Sequence, residues 1–174
     1  MSRGAEPIRF HAPRPSSAEA GLGFEHLVQI NDPGDPRIAP LTPAQLWRGL
    51  LLRMEFPQNF QPGIDSCAVT RLDSGEWLRE IDYGSAVVRD RIRFAPPLSV
   101  HVEVLGPQLS ARLEIRIETP SDGSLWLRFC YRTQSPEHQE GAPLSPLIKD
   151  AWRQADEETV FRLRQLAATG ALDE

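Results

Sequence analysis

The sequence predicts an α+β fold: a curved, seven-stranded antiparallel sheet around a long C-terminal helix, with two short helices after strand 1. Three observations predict it. Short alternating segments follow one another from Ile64 to about Gln134, and a helical period closes the chain from about Leu144 to Ala168. The inward residues of the strands make one apolar face, which only the terminal helix is long enough to cover.

The chain of 174 residues suits one domain over 22–174, preceded by a flexible arm, residues 1–21, that holds Pro7, Pro13 and Pro15 and no hydrophobic period. Its composition, 40% hydrophobic and 25% charged, is that of an ordinary globular protein. A formal net charge of -5 gives no footprint for nucleic acid, and the arginines alternate with Glu and Asp as on a solvated sheet face. Cys67 and Cys130 are too few for a disulfide framework and lack metal-site spacing. With no Gly-rich phosphate loop and no nucleophile elbow, neither a cofactor nor a metal is expected. No window approaches the ~20 apolar residues of a membrane span and no signal-peptide core is present, so a cytoplasmic location is expected.

The first strand, about Gly23 to Asn31, places Phe24, His26, Val28 and Ile30 on one face. His26 thus sits in an apolar row, either as a hydrogen-bonded core histidine or as a pocket residue. A helix then starts with Thr42 as N-cap, Pro43 in the first turn and Gln45 completing a capping box. Its stripe is Leu46, Trp47, Leu50, Leu51 and Met54; Pro57 ends it, and 57–61 forms the second short helix.

After a strand from about Ser66 to Leu72, the segments Glu76 to Tyr83 and Ala86 to Phe94 flank Gly84-Ser85, a pair suited to a two-residue hairpin turn. Direct pairing sets Tyr83 against Ala86, Ile81 against Val88, Arg79 against Asp90 and Trp77 against Ile92, all on one face. The other face carries Glu80 with Arg89 and Glu76 with Arg93. A slip of one residue would break both patterns, so the register is specified. A turn at Ala95-Pro96-Pro97 then pairs Phe94 with Leu98 and Ile92 with Val100. A turn at Gly106-Pro107 pairs Val102 with Ala111 and Val100 with Leu113. The last strand points Leu125, Leu127, Phe129 and Tyr131 inward and leaves Trp126 outward, in need of a cover such as a partner subunit or a tail. A polar loop, Ser135 to Pro143, leads to the terminal helix, whose stripe is Leu144, Ile148, Ala151, Trp152, Ala155, Thr159, Leu163 and Leu166.

This order of elements resembles the helix-grip fold of the SRPBCC superfamily, which includes START-like lipid carriers, pollen-allergen-like binders and aromatic polyketide cyclases. The stretch LTPAQLWRGLLLRMEFPQNFQPGIDSCAV (Leu41 to Val69), with WLREIDYG (Trp77 to Gly84) and VVRDRIRFAPP (Val87 to Pro97), is similar to the AtaL-like branch of that superfamily. The resemblance covers about Phe24 to Arg132. It implies a cavity between sheet and terminal helix and, by analogy with that branch, polyketide or peptide-derived small molecules. It brings no catalytic motif to transfer.

The inward polar and aromatic groups, His26, Trp77, Arg79, Tyr83, Asp90, Phe129 and Tyr131, are the candidate ligand-binding residues. Two functions compete. A binding protein would shelter a small hydrophobic molecule with Arg79 as anchor. A cyclase or dehydratase-like enzyme would use His26 or Asp90 as the acid or base, with Arg79 stabilising an oxyanion. Against both stands a structural reading in which Arg79 and Asp90 hold only each other. A homodimer through Trp126 is a third expectation.

Overall fold

The computed structural model describes residues 22–106, 110–134 and 144–173. The proposed arm over 1–21 and the loop over 135–143 lie outside the described residues.

Seven strands form one antiparallel sheet: β1 (Leu22–Asn31), β2 (Ser66–Arg71), β3 (Trp77–Asp82), β4 (Val87–Ala95), β5 (Ser99–Val104), β6 (Ser110–Glu118) and β7 (Leu125–Gln134). Their spatial order is β1-β7-β6-β5-β4-β3-β2, a meander whose first strand returns to pair with the last. Helix α1 (Pro43–Glu55) follows β1, a 3-10 turn (Pro57–Asn59) follows α1, and α2 (Pro146–Ala168) closes the fold. The second short helix is thus a single tight turn.

Local chemistry sets α1. The Thr42 side chain accepts from the Gln45 N–H, and the Gln45 side chain accepts from the Thr42 N–H at 2.8 Å, so both halves of the capping box form. The β3–β4 hairpin has the predicted register, with Arg79 opposite Asp90 and Trp77 opposite Ile92. Gly84 supplies the left-handed backbone of its turn (φ 77°), and the Tyr83 N–H donates to the Ala86 carbonyl at 2.9 Å.

Two later registers differ from the expectation by two residues. Ile92 pairs with Val102 and Phe94 with Val100, because the Leu98 N–H donates to the Ala95 carbonyl and the turn closes one residue later, over 95–98. Leu98 is therefore 60% exposed rather than inward. Likewise Val102 pairs with Leu113 and Val100 with Ile115. The end of β5 stays on β4, where the Leu105 N–H donates to the Arg89 carbonyl, and the chain cannot reverse tightly at Gly106. Since strand side chains alternate, a shift of two leaves the residues that stay within the strands on their predicted face, and Leu98, now in the turn, is the exception.

The core gathers Ile92, Val100, Ile115, Leu127 and Phe129 from the sheet, Leu46, Leu50 and Met54 from α1, and Val160 and Leu163 from α2. The outer face of the sheet is a ladder of exposed ion pairs, among them Arg89 with Glu80 and Arg93 with Glu76, each at 2.7 Å. Trp126 is half-buried on this face, and its indole N–H donates to Ser124 Oγ at 2.8 Å, a partner within its own chain.

Helix α2 departs from the predicted stripe. Asp156, Thr159, Val160 and Leu163 are its buried residues, whereas Ile148, Ala151 and Ala155 are exposed. The helix packs on β1 and α1 rather than across the whole sheet. Its C-terminal half meets α1 so closely that a Cβ on Gly49 would lie 2.2 Å from Leu163 Cδ2. Its N-terminal half meets β1 and β7 through Trp152 and Asp156 and stands off the strands beyond them, β3 to β6.

Candidate functional site

That separation leaves a half-open cavity of about 740 Å³ between α2 and the inner face of β3 to β7, walled at one end by α1 and the 3-10 turn. Ile81, Val88, Val102, Val104 and Leu113 supply an apolar floor, and Ala151, Trp152 and Ala155 face it from α2. The strand residues point here because each lies on the inward row of its strand. The polar groups on the wall are Arg53, Arg79, Tyr83, Asp90, Tyr131, Glu158 and Thr159, with Gln61 and Gln154 at its edge.

Arg79 and Asp90 are buried, at 8% and 3% exposure, and satisfy each other. Arg79 Nη2 donates to Asp90 Oδ2 at 2.6 Å, Nε donates to Oδ1 at 3.1 Å, and Nη1 donates to the Met54 carbonyl at 3.1 Å. The fork is thus fully engaged and caps the last turn of α1, which positions the helix on the sheet. Tyr83 is half-buried at the end of β3, and burial pushes its phenol above its ordinary pKa.

A second polar cluster lies on the other side of the cavity. Asp156 of α2 is fully buried; its Oδ2 lies 2.7 Å from His26 Nε2, and the Tyr131 hydroxyl donates to its carboxylate at 2.8 Å. Arg53, in the last turn of α1, sits 3.7 Å from Asp156 Oδ1. His26 is sandwiched between Phe24 and Phe129, with ring centroids at 5.3 and 5.4 Å, and Tyr131 stacks on Trp152 at 4.3 Å. Burial pushes the Asp156 carboxyl above the usual carboxylate range, against Arg53, His26 and Tyr131, which favour its charged form. Burial and the neighbouring Asp156 push the Tyr131 phenol upward, so it remains a proton donor at neutral pH.

Of the predicted ligand-binding residues, the cavity brings together Arg79, Tyr83, Asp90 and Tyr131. His26 stands one residue behind the wall, reaching it through Asp156 and Tyr131. Phe129 is fully buried in the core. Trp77 lies edge-on to Phe94 at 4.8 Å and lines a separate depression with Trp47 and Leu51. His101, on the outer face, bonds Ser99 and does not meet His26.

The sequence reading omitted Arg53 and Asp156. Both stand in stripe positions: Arg53 follows Leu46 by seven and Leu50 by three, and Asp156 precedes Val160 by four and Leu163 by seven. A charged residue inside an apolar stripe was the available signal for each. A larger groove of about 1020 Å³ lies on the outer face, but its walls are the exposed, mutually paired Arg and Glu side chains. The inner cavity combines an apolar floor with convergent buried polar groups.

Among known proteins, the family described as acetylaranotin biosynthesis cluster protein L (AtaL) matches residues 28–170. The fold is similar to that of Ara h 8.0201, at 13% identity and TM-score 0.59, over 84% of this chain and 97% of that one. It is also similar to the di-domain ARO/CYC StfQ from the steffimycin biosynthetic pathway, at 12% identity and TM-score 0.60, over 88% of this chain and 53% of that one. A conserved protein from Geobacillus kaustophilus aligns at 13% identity and TM-score 0.55, over 85% of this chain and 96% of that one. No curated relative matches by sequence.

Proposed function

The chain belongs to the AtaL family, within the START and Bet v 1-like helix-grip superfamily, and on that premise we propose that it holds an apolar, aromatic or polyketide-like small molecule in the cavity between sheet and α2. The observation that carries this reading is the stand-off of the N-terminal half of α2 from β3 to β6. Ala151 and Ala155 face the strand residues Val88, Val104 and Leu113 across a space large enough for a drug-sized ligand. A ligand there would cover apolar surface that the fold itself does not bury.

The test is native mass spectrometry of protein purified from its own cells, together with titration by Nile red, a neutral apolar dye. A co-purified small molecule, and dye binding that Val104→Trp or Leu113→Trp abolishes by filling the floor, support the reading. No co-purified molecule and dye binding indifferent to both substitutions would sink it.

An enzymatic reading, a cyclase or dehydratase-like step on a poly-carbonyl chain, is favoured by one observation. The Tyr131 hydroxyl on the cavity wall is hydrogen-bonded to Asp156, which bonds His26, so a proton-transfer chain leads from the cavity inward. Loss of turnover of a poly-carbonyl substrate in both Tyr131→Phe and His26→Ala would support it, and retained turnover in both would leave binding as the account.

A further inference from the structure

The two arginines of the cavity wall differ in one respect. Arg79 has each of its three nitrogens engaged by Asp90 or by the Met54 carbonyl. Arg53 makes no hydrogen bond with any described residue. Its Nη1 is buried without a partner, its nearest carboxylate is 3.7 Å away, and its guanidinium lies 5.9 Å from the centre of the Phe129 ring. Its side chain is nonetheless only 16% exposed. A guanidinium is a five-donor fork, and leaving it unbonded in a half-dry site is costly unless an acceptor arrives.

Nothing nearby supplies that acceptor. Asp156 takes its hydrogen bonds from His26 and Tyr131, at 2.7 and 2.8 Å, and faces Arg53 only across the 3.7 Å ion pair, so the two are paired in charge but not hydrogen-bonded. Asp90 is committed to Arg79. Glu158, the remaining acid on the wall, is exposed to solvent, where its charge is screened. The cavity wall therefore carries a guanidinium with a distant counter-charge and no hydrogen-bond acceptor among the described residues, and its contents can supply one.

We propose that the cavity takes ligands bearing an oxyanion, a carboxylate or an ionised enol or phenol, and that the Arg53 guanidinium turns from its long contact with Asp156 to bind that oxygen. The apolar floor takes the body of the ligand, and the planar fork suits a two-oxygen acceptor. This inference rests on the cavity-binding reading and names the chemical class of ligand.

The test uses two probes of the same shape, 2-naphthoate and its neutral amide 2-naphthamide, titrated into the full chain at pH 7. Wild type should bind the acid about tenfold or more tightly than the amide, the margin of a charge-assisted hydrogen bond over a neutral one. Arg53→Met should remove that preference while leaving the amide within about twofold of its wild-type affinity, which also reports that the variant is folded. Arg53→Lys, which keeps the charge, should retain part of the preference and serves if Arg53→Met does not fold. Equal binding of acid and amide by wild type, or a preference that survives Arg53→Met, overturns the oxyanion role and leaves cavity binding standing. Failure of both probes to bind wild type overturns the cavity reading and this inference with it.

Discussion

The Tyr131 hydroxyl and the Asp156 carboxylate meet at 2.8 Å, joining the last strand of the sheet to the terminal helix through a hydrogen bond at the inner wall of the cavity. Because Asp156 is fully buried, the Arg53 charge, the contact to His26 and this bond together make a carboxyl tolerable there. Tyr131→Phe keeps the stacking on Trp152 but removes the donor. It should destabilise the protein by about 1–3 kcal/mol, read as a lower urea midpoint with an unchanged slope. An unchanged midpoint would mean that the bond is not maintained in solution.

The raised pKa of Asp156 makes its contribution to stability depend on pH in a defined direction. The folded state takes up this proton more readily than the unfolded chain, whose carboxyl titrates near the ordinary value of 3.8. The stabilisation is fully present below that value and is lost as pH rises through the higher folded pKa. The stability of wild type minus that of Asp156→Asn should therefore increase on acidification and level off below pH 3.8, measured by urea unfolding across pH. A difference that shrinks on acidification would assign the opposite sign.

Arg79 and Asp90 form a buried pair with side chains 7% and 3% exposed. Asp90→Leu alone should cost about 3–5 kcal/mol, because it strands the Arg79 charge in the interior. The double variant Arg79→Met with Asp90→Leu should cost clearly less than the single, since both charges leave together. A cycle in which the two losses simply add would show that the pair does not act as a unit.

Gly49 lets α1 approach α2. In Gly49→Ala the new methyl would sit 2.2 Å from Leu163 Cδ2, and Leu163 is itself only 1% exposed, so its end has little room to move. Overpacking of this kind should cost about 1–3 kcal/mol despite the better helix propensity of alanine. A variant more stable than wild type would place free space behind Leu163.

Burial and the nearby Glu25 push the Cys130 thiol up to about 11. At pH 8 only about one thiol in a thousand is then ionised, and alkylation of Cys130 by iodoacetamide should be far slower than that of a free cysteine. Labelling at the rate of a model thiol would contradict the buried setting.

Much of this architecture was legible in the chain because its signals are local. The capping box of Thr42 and Gln45 and the Gly84-Ser85 hairpin turn each depend on a few adjacent residues, and both formed as read. The period of two assigned each strand residue to its face even where the register moved, since the shifts at 95–98 and after Val104 were by two residues. Those shifts escaped because the hydrogen bonds of the Leu98 and Leu105 N–H groups decide them, and such bonds depend on how turns settle against neighbouring strands. Arg79 and Asp90 were paired correctly from alternation alone. Arg53 and Asp156 were passed over because their importance arises between elements distant in sequence.

The order of elements, the inner face of the sheet and the pairing of its central charges follow from the chain alone, since side-chain period, turn chemistry and capping act within a few residues of one another. The resting place of α2 is set by packing in three dimensions. By packing its buried stripe of Asp156, Thr159, Val160 and Leu163 toward β1 and α1, it opened the cavity, satisfied Asp156 from His26 and Tyr131, and left Arg53 without a hydrogen bond. Helix docking and charge compensation are settled where surfaces far apart along the chain meet, beyond the reach of any local signal.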